Sequence, residues 1–250
     1  MFPRCRFLAA SAVLFLVPSV ATAQYGGAAV AALNGEDAGI VKGEPCVWVQ
    51  KITTTTPRPD GTDGTSITLR RKWRDSEGRF RREIAKVTNG QEPVYQVATI
   101  LDPVKNTVTT LHMDTKTASV VHLPPGTLRS YVDADDREML AAPGVHIKVE
   151  DIQGKEIMGV HVLGRRVTRT RPPGTIGNDH TIVSVNERWD APDLKIMMWR
   201  NLDDPRQQEH SEVTELNRVE PEAALFQVPS DYSMNESQGS PLHEVIIPGH

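Results

Sequence analysis

From Cys46 onward the sequence breaks into short runs rich in β-branched and aromatic residues, each closed by a turn signal. That pattern constrains the chain more than any other feature, because it leaves few stretches where a helical period can settle. The runs predict strands at 47–56, 65–74, 79–87, 95–101, 107–113 and 118–123. A second set follows at 147–152, 155–159, 160–170, 181–189, 194–200 and 209–219. Pro59-Asp60-Gly61 and Ser76-Glu77-Gly78 read as tight turns, since Pro presets φ and Gly accepts positive φ. Asp102-Pro103 and Asp204-Pro205 play the same part in the two halves. Consecutive short strands with tight turns pair as an antiparallel meander.

Two segments interrupt the pattern. Asp133–Ala142 carries good helix formers behind an Asp cap and predicts one short helix. Residues 220–226 read as a short turn or helix. In the strand at 181–189, Val183, Val185 and Trp189 alternate with Ser184, Asn186 and Arg188, which predicts a sheet with one wet face.

The amino terminus sets the compartment. Arg4 and Arg6 precede an apolar run from Phe7 to Val17, Pro18 breaks it, and Ala21-Thr22-Ala23 places small residues where a signal peptidase reads. This is the layout of a secretory signal peptide over residues 1–23, so a periplasmic or secreted location is expected. Cys5 lies before the apolar run, the wrong side for lipidation. The chain then divides into a flexible leader at 24–45, with a short helix at 28–33, a single β domain at 46–232 and a loose polar tail at 233–250. Within that tail 244–247 has the composition to pair weakly.

Charge and cysteine content narrow the function classes. The formal net charge is −4, and loss of Arg4 and Arg6 with the signal makes it two units more negative. A mildly acidic exported chain is not built to bind nucleic acid. Cys46 is the one thiol left, so no internal disulfide is expected, and its apolar neighbours predict a small buried residue.

No constellation of catalytic or metal-binding residues stands out. The histidines (His112, His122, His146, His161, His180, His210, His243 and His250) form neither His-x-His nor His-Glu-x-x-His. His112 and His122 lie on neighbouring predicted strands and have a hairpin in which to meet. Gly-x-Ser-x-Gly and Ser-x-x-Lys are absent, and Pro172–Asn178 does not open a helix as a phosphate cradle does. Asp133, Asp135 and Asp136 lack the Gly and Glu of an EF-hand loop and read as helix caps. The expectation is a non-enzymatic protein with no cofactor and no metal.

The most unusual segment is residues 70–83, one predicted hairpin with seven basic residues. Arg70, Lys72, Arg74, Arg79, Arg81 and Arg82 form a candidate face for an anion or an acidic partner, with Trp73 and Phe80 as interfacial anchors. The other reading is a solvated sheet face with cross-strand ion pairs, favoured by Asp75, Glu77 and Glu83 within the hairpin. A second basic strand, Arg165–Arg171, strengthens the anion reading only if it lies beside the first.

Several motifs carry a resemblance. Arg74-Asp75-Ser76-Glu77-Gly78-Arg79, Arg81-Arg82-Glu83, Asp102-Pro103, Pro173–Asn178, Glu187-Arg188-Trp189, Asp204-Pro205-Arg206 and Leu225–Tyr232 resemble a family of exported soil-bacterial proteins without an established activity. The chain of strands and the closing Leu225-Phe226-Gln227-Val228-Pro229 are more distantly similar to the periplasmic outer-membrane lipoprotein carrier superfamily. That resemblance implies a mainly β fold, a curved antiparallel sheet or half-open barrel with one or two short helices. It implies a binding or carrier role toward a lipid or a lipidated protein. Trp48, Trp73, Val183, Val185, Trp189, Met198 and Phe226 are the residues expected near an apolar ligand face. The alternative expectation is an envelope scaffold or signalling protein that binds a protein partner through the basic hairpin.

Overall fold

A computed structural model describes residues 39–87, 91–128 and 144–239. Cys46–Pro57 (β1) lies near the middle of a single twelve-stranded sheet. On one side Asp63–Arg74 (β2), Phe80–Val87 (β3), Val97–Asp102 (β4), Thr107–His112 (β5) and Thr117–His122 (β6) follow in chain order. On the other side the order runs backwards to the far edge. His146–Ile157 (β7) is that edge, then Val160–Arg171 (β8), Ile182–Ala191 (β9), Ile196–Asp204 (β10) and Gln207–Asn217 (β11), which pairs with β1. These pairings are all antiparallel. Two meanders thus meet at the β1–β11 seam. Ser233–Gln238 (β12) closes the other edge by pairing parallel to β6.

Three hairpins share one turn. β4–β5, β5–β6 and β9–β10 each close over four residues and end on a left-handed residue: Asn106 (φ 56°), Lys116 (φ 50°) and Lys195 (φ 53°). Asp102 Oδ1 accepts from the backbone N–H of Val104 and Lys105, both at 2.9 Å, and Asp204 Oδ1 accepts from that of Arg206 at 3.0 Å. A carboxylate that takes backbone donors at the start of a turn explains why the two Asp-Pro turns look alike in sequence.

The sheet is open and curved. Arg74 on β2 donates from Nη2 to the carbonyl of Leu194, in the β9–β10 turn, at 2.6 Å. In the strand order β2 and β10 are three spacings apart, about 14 Å in a flat sheet. The sheet must curl toward the Arg74 side for that bond to form.

Two apolar clusters lie on opposite faces. Leu101 belongs to one and its neighbour Ile100 to the other, and successive strand residues point to opposite faces. The larger cluster includes Trp48, Phe80, Leu101, Val108, Trp189, Ile196 and Met198. The smaller sits on β4, β5 and β6 through Ala98, Ile100, Leu111 and Ala118, and Leu225, Phe226, Val228 and Tyr232 close it. A 3-10 turn at Ala223–Phe226, within the segment expected to hold a turn or helix, aims Phe226 into it. Burial of such a ring contributes about 1.5–3 kcal/mol. The Leu-Phe-x-x-Pro motif is therefore a lid on the smaller core.

The structure corrects several expectations. Residues 147–152 and 155–159 are not separate strands. They form β7, with a register shift between Ile152 and Lys155, and the chain turns at Met158-Gly159. Both turn residues have positive φ, 52° and 73°, as a two-residue hairpin turn requires. The start of the tail, expected to be loose, is β12. The wet face of β9 is reversed at its start: Ser184 and Asn186 are 4% exposed and Val183 is 46% exposed. Arg171 donates to Ser184 Oγ at 3.0 Å and Arg200 to Asn186 Oδ1 at 2.8 Å, so both polar groups are satisfied in place. His112 and His122 pair with Thr117 and Thr107, at opposite ends of their hairpin, and do not meet. The signal peptide, the helices expected at 28–33 and 133–142 and the pairing at 244–247 lie outside the described residues.

Candidate functional site

The basic hairpin splits its charge between the two faces. Directly opposed residues share a face, and the register aligns Lys72 with Trp48 and Arg82, and Arg74 with Cys46 and Phe80. Arg70, Lys72, Arg74 and Arg82 therefore point to the inside of the curve. Lys72 is 2% exposed, and Lys72 Nζ and the Arg74 guanidinium both lie 5.7 Å from the Trp48 ring. Arg74 also donates to Cys46 Sγ at 3.3 Å. Burial pushes the Cys46 thiol up, with Arg74 pulling against it.

Arg71, Trp73, Arg81 and Glu83 point the other way. Glu83 accepts from Arg81 at 2.7 and 3.0 Å and from Arg71 at 3.0 Å. Arg81 continues to the carbonyl of Leu225 at 2.8 Å. The Arg71 guanidinium lies over Tyr95, 3.7 Å from the ring centroid. Arg79 is held at the β2–β3 turn by the buried carboxylate of Asp75 and by Glu77.

The hairpin thus does not gather its charge on one open face. The cross-strand pairing expected of it is present, but Lys72, Arg74, Arg81 and Arg82 are buried rather than solvated. The second basic strand, β8, stands apart from β2 across β1, β11, β10 and β9. Its arginines meet acids too: Arg165 pairs with Asp151 and Arg166 with Glu187. The hydrogen bond from Arg166 holds the Glu187 carboxyl below the usual range.

The expected apolar ligand face does not assemble as one face either. Trp48, Trp189 and Met198 lie in the larger cluster, and Trp73 and Phe226 in the smaller. Val183 is exposed and Val185 half-buried. Inside the curve, Val41, Trp48, Gln50, Lys72, Arg74 and Phe80 border a cavity of about 30 Å³ with Lys195, Ile196 and Met197. The leader chain reaches it through Gly39 and Val41, and further along the Gly43 N–H bonds the Ser76 carbonyl at 2.9 Å. Such a volume takes one or two waters.

The feature that the sequence hid is the β7 edge. Among the described residues only β8 pairs with β7. His146–Ile152 runs in unbroken register with Thr170–Gly164 before the shift. Val149 is 43% exposed there. Lys148 pairs with Glu150 at 2.9 Å and holds that carboxyl below the usual range. The alternation of β7 continues across Gly154, and Met158-Gly159 was the turn signal that would have joined the two short runs.

No family model matches the chain, and no curated protein matches it. Solved structures similar to it include MucB in complex with MucA(peri), at a TM-score of 0.37 and 11% identity, covering 76% of this chain and 55% of that one. The MucA/MucB complex of Pseudomonas aeruginosa has a TM-score of 0.34 and 11% identity over 74% of this chain and 56% of that one. A LolA superfamily protein from Nitrosomonas europaea has a TM-score of 0.31 and 6% identity over 81% of this chain and 97% of that one. The chain spans little more than half the length of the first two.

Proposed function

We propose that this chain is a non-catalytic binding protein working outside the cytoplasm, and that it takes up a segment of a protein partner as an added strand on β7. The carrying observation is the run His146–Ile152, seven residues in regular register with a partner strand on one side only among the described residues. A strand laid there gains about six backbone hydrogen bonds at roughly 0.5–1.5 kcal/mol each. The bulge and the charges beyond Ile152 suit a guarded edge, one that accepts a particular segment and discourages self-pairing. A lipid or the acyl group of a lipidated protein is the second reading. It has the apolar cluster inside the curve in its favour. The cavity of about 30 Å³ beside it is far below the roughly 300 Å³ at which small-molecule sites begin.

Proline substitutions test the edge. Along β7, alternate residues turn their N–H toward β8 and away from it. Of Lys148→Pro and Val149→Pro, one removes an outward N–H and spares the fold, and the other breaks the β7–β8 ladder. A photo-crosslinker at Glu150 is expected to trap a defined protein in cells. The outward proline is expected to abolish that adduct with the melting temperature intact. An adduct that survives the outward proline overturns the reading, and co-purified lipid in native mass spectra moves it to the second.

A further inference from the structure

Away from β7, the three strands at the seam bring a different chemistry to the face opposite Arg74. The register places Thr53, His210 and Asn201 in one row across β1, β11 and β10, and Thr55, Gln208 and Asp203 in the next. With Leu202 and Glu209 these six residues line a groove of about 250 Å³. The rows are about 7 Å apart along the strands and about 10 Å long across them, the footprint of two sugar rings. Trp199 stands one row further along, opposite Glu212; it is half-buried and packs against the larger apolar cluster. Its ring lies 5.4 Å from that of His210, edge to face at 75°.

The groove selects among ligand classes. Thr53, Thr55, Asn201 and Gln208 supply hydroxyls and carboxamides, which both donate and accept. Asp203 disfavours an anion, and Gln208 Nε2 already donates to it at 3.2 Å. The described residues hold no group of three or more His, Cys, Asp or Glu side chains placed to share a metal ion. Leu202 is the one apolar residue among those that line it, so the groove offers no apolar side-chain cluster to an apolar ligand. What remains is a ligand dense in hydroxyls and uncharged: a pyranose sugar. We propose that this groove binds an uncharged saccharide of two or three rings, with Asn201, Gln208 and Asp203 reading its hydroxyls and the half-buried Trp199 bordering one end.

The test is a titration of the full chain with cellotriose and with the trimer of N-acetylglucosamine, followed by backbone amide shifts and tryptophan fluorescence. Shifts are expected at Thr53, Asn201 and Gln208 with one of the two sugars, and which one identifies the ring substituent. Asn201→Ala and Gln208→Ala, both at exposed positions, are each expected to weaken binding about tenfold with the melting temperature unchanged. Glu236→Ala on β12 and the outward proline in β7 are expected to leave it as it was. Absence of response to either sugar at its solubility limit, or equal binding by the Asn201 and Gln208 variants, overturns the proposal.

Discussion

The guanidinium of Arg74 and the carbonyl of Leu194 are 120 residues apart in the chain and 2.6 Å apart in space. The same side chain donates to the Glu44 carbonyl at 2.9 Å. One buried cation therefore ties the leader, β2 and the β9–β10 turn, and it holds the curl of the sheet. Arg74→Met is expected to cost about 3–5 kcal/mol, since a buried and a half-buried carbonyl lose a charged donor. Arg74→Lys recovers only part, because an ammonium does not reach in two directions as the planar fork does. Urea denaturation of the three proteins gives the ranking.

Gly164 faces Trp189 across β8 and β9. A Cβ at Gly164 would come within 2.7 Å of the Trp189 ring and 2.9 Å of Ile152 Cβ. Neither neighbour is the far end of a flexible chain, since Trp189 is buried and Lys155 Nζ caps its ring at 3.8 Å. Gly164→Ala is expected to cost about 1–3 kcal/mol and to shift the tryptophan emission. Gly174→Ala, with open space around it, is the comparison for crowding: it carries only the cost of positive φ.

Glu83 answers two arginines in a buried setting. Glu83→Ala leaves Arg71 and Arg81 without their shared carboxylate and is expected to cost about 3–5 kcal/mol. Glu77 is exposed and pairs with Arg79 at 3.0 Å, and Glu77→Ala is expected to change stability by less than about 1 kcal/mol. Thermal unfolding distinguishes the two.

The sheet was legible because its turns are local. Asp102-Pro103 and Asp204-Pro205 carry their own caps, and the runs between turns have the right length and composition. What the sequence hid depends on distant partners. Ser184 and Asn186 look wet beside Val183 and Val185 until Arg171 and Arg200 arrive from neighbouring strands. Lys72 and Arg74 look solvated until the sheet curls over them. β12, Ser-Met-Asn-Glu-Ser-Gln, has no apolar alternation. Backbone bonds to β6 hold it, and an ion pair between Lys116 and Asp231 at 2.7 Å sets its start. The β7 edge and the polar groove were equally out of reach, since both depend on strand order across the seam.

Acid should loosen the β8–β10 half of the sheet first. Asp204 is buried, and its carboxyl is held below the usual range by hydrogen bonds from Arg206, with Arg171 adding to them. Glu187 is lowered by Arg166 in the same half. Both folded-state values are depressed relative to the unfolded chain, near 3.9 for Asp and 4.3 for Glu. Their contribution is therefore complete above about pH 5 and is lost as pH falls through the depressed values. Asp204→Asn is expected to lower stability at neutral pH by about 1–3 kcal/mol and to flatten its slope below pH ~4. Denaturant midpoints at a series of pH values check this, and a slope as steep in the variant as in the parent places the acid sensitivity elsewhere.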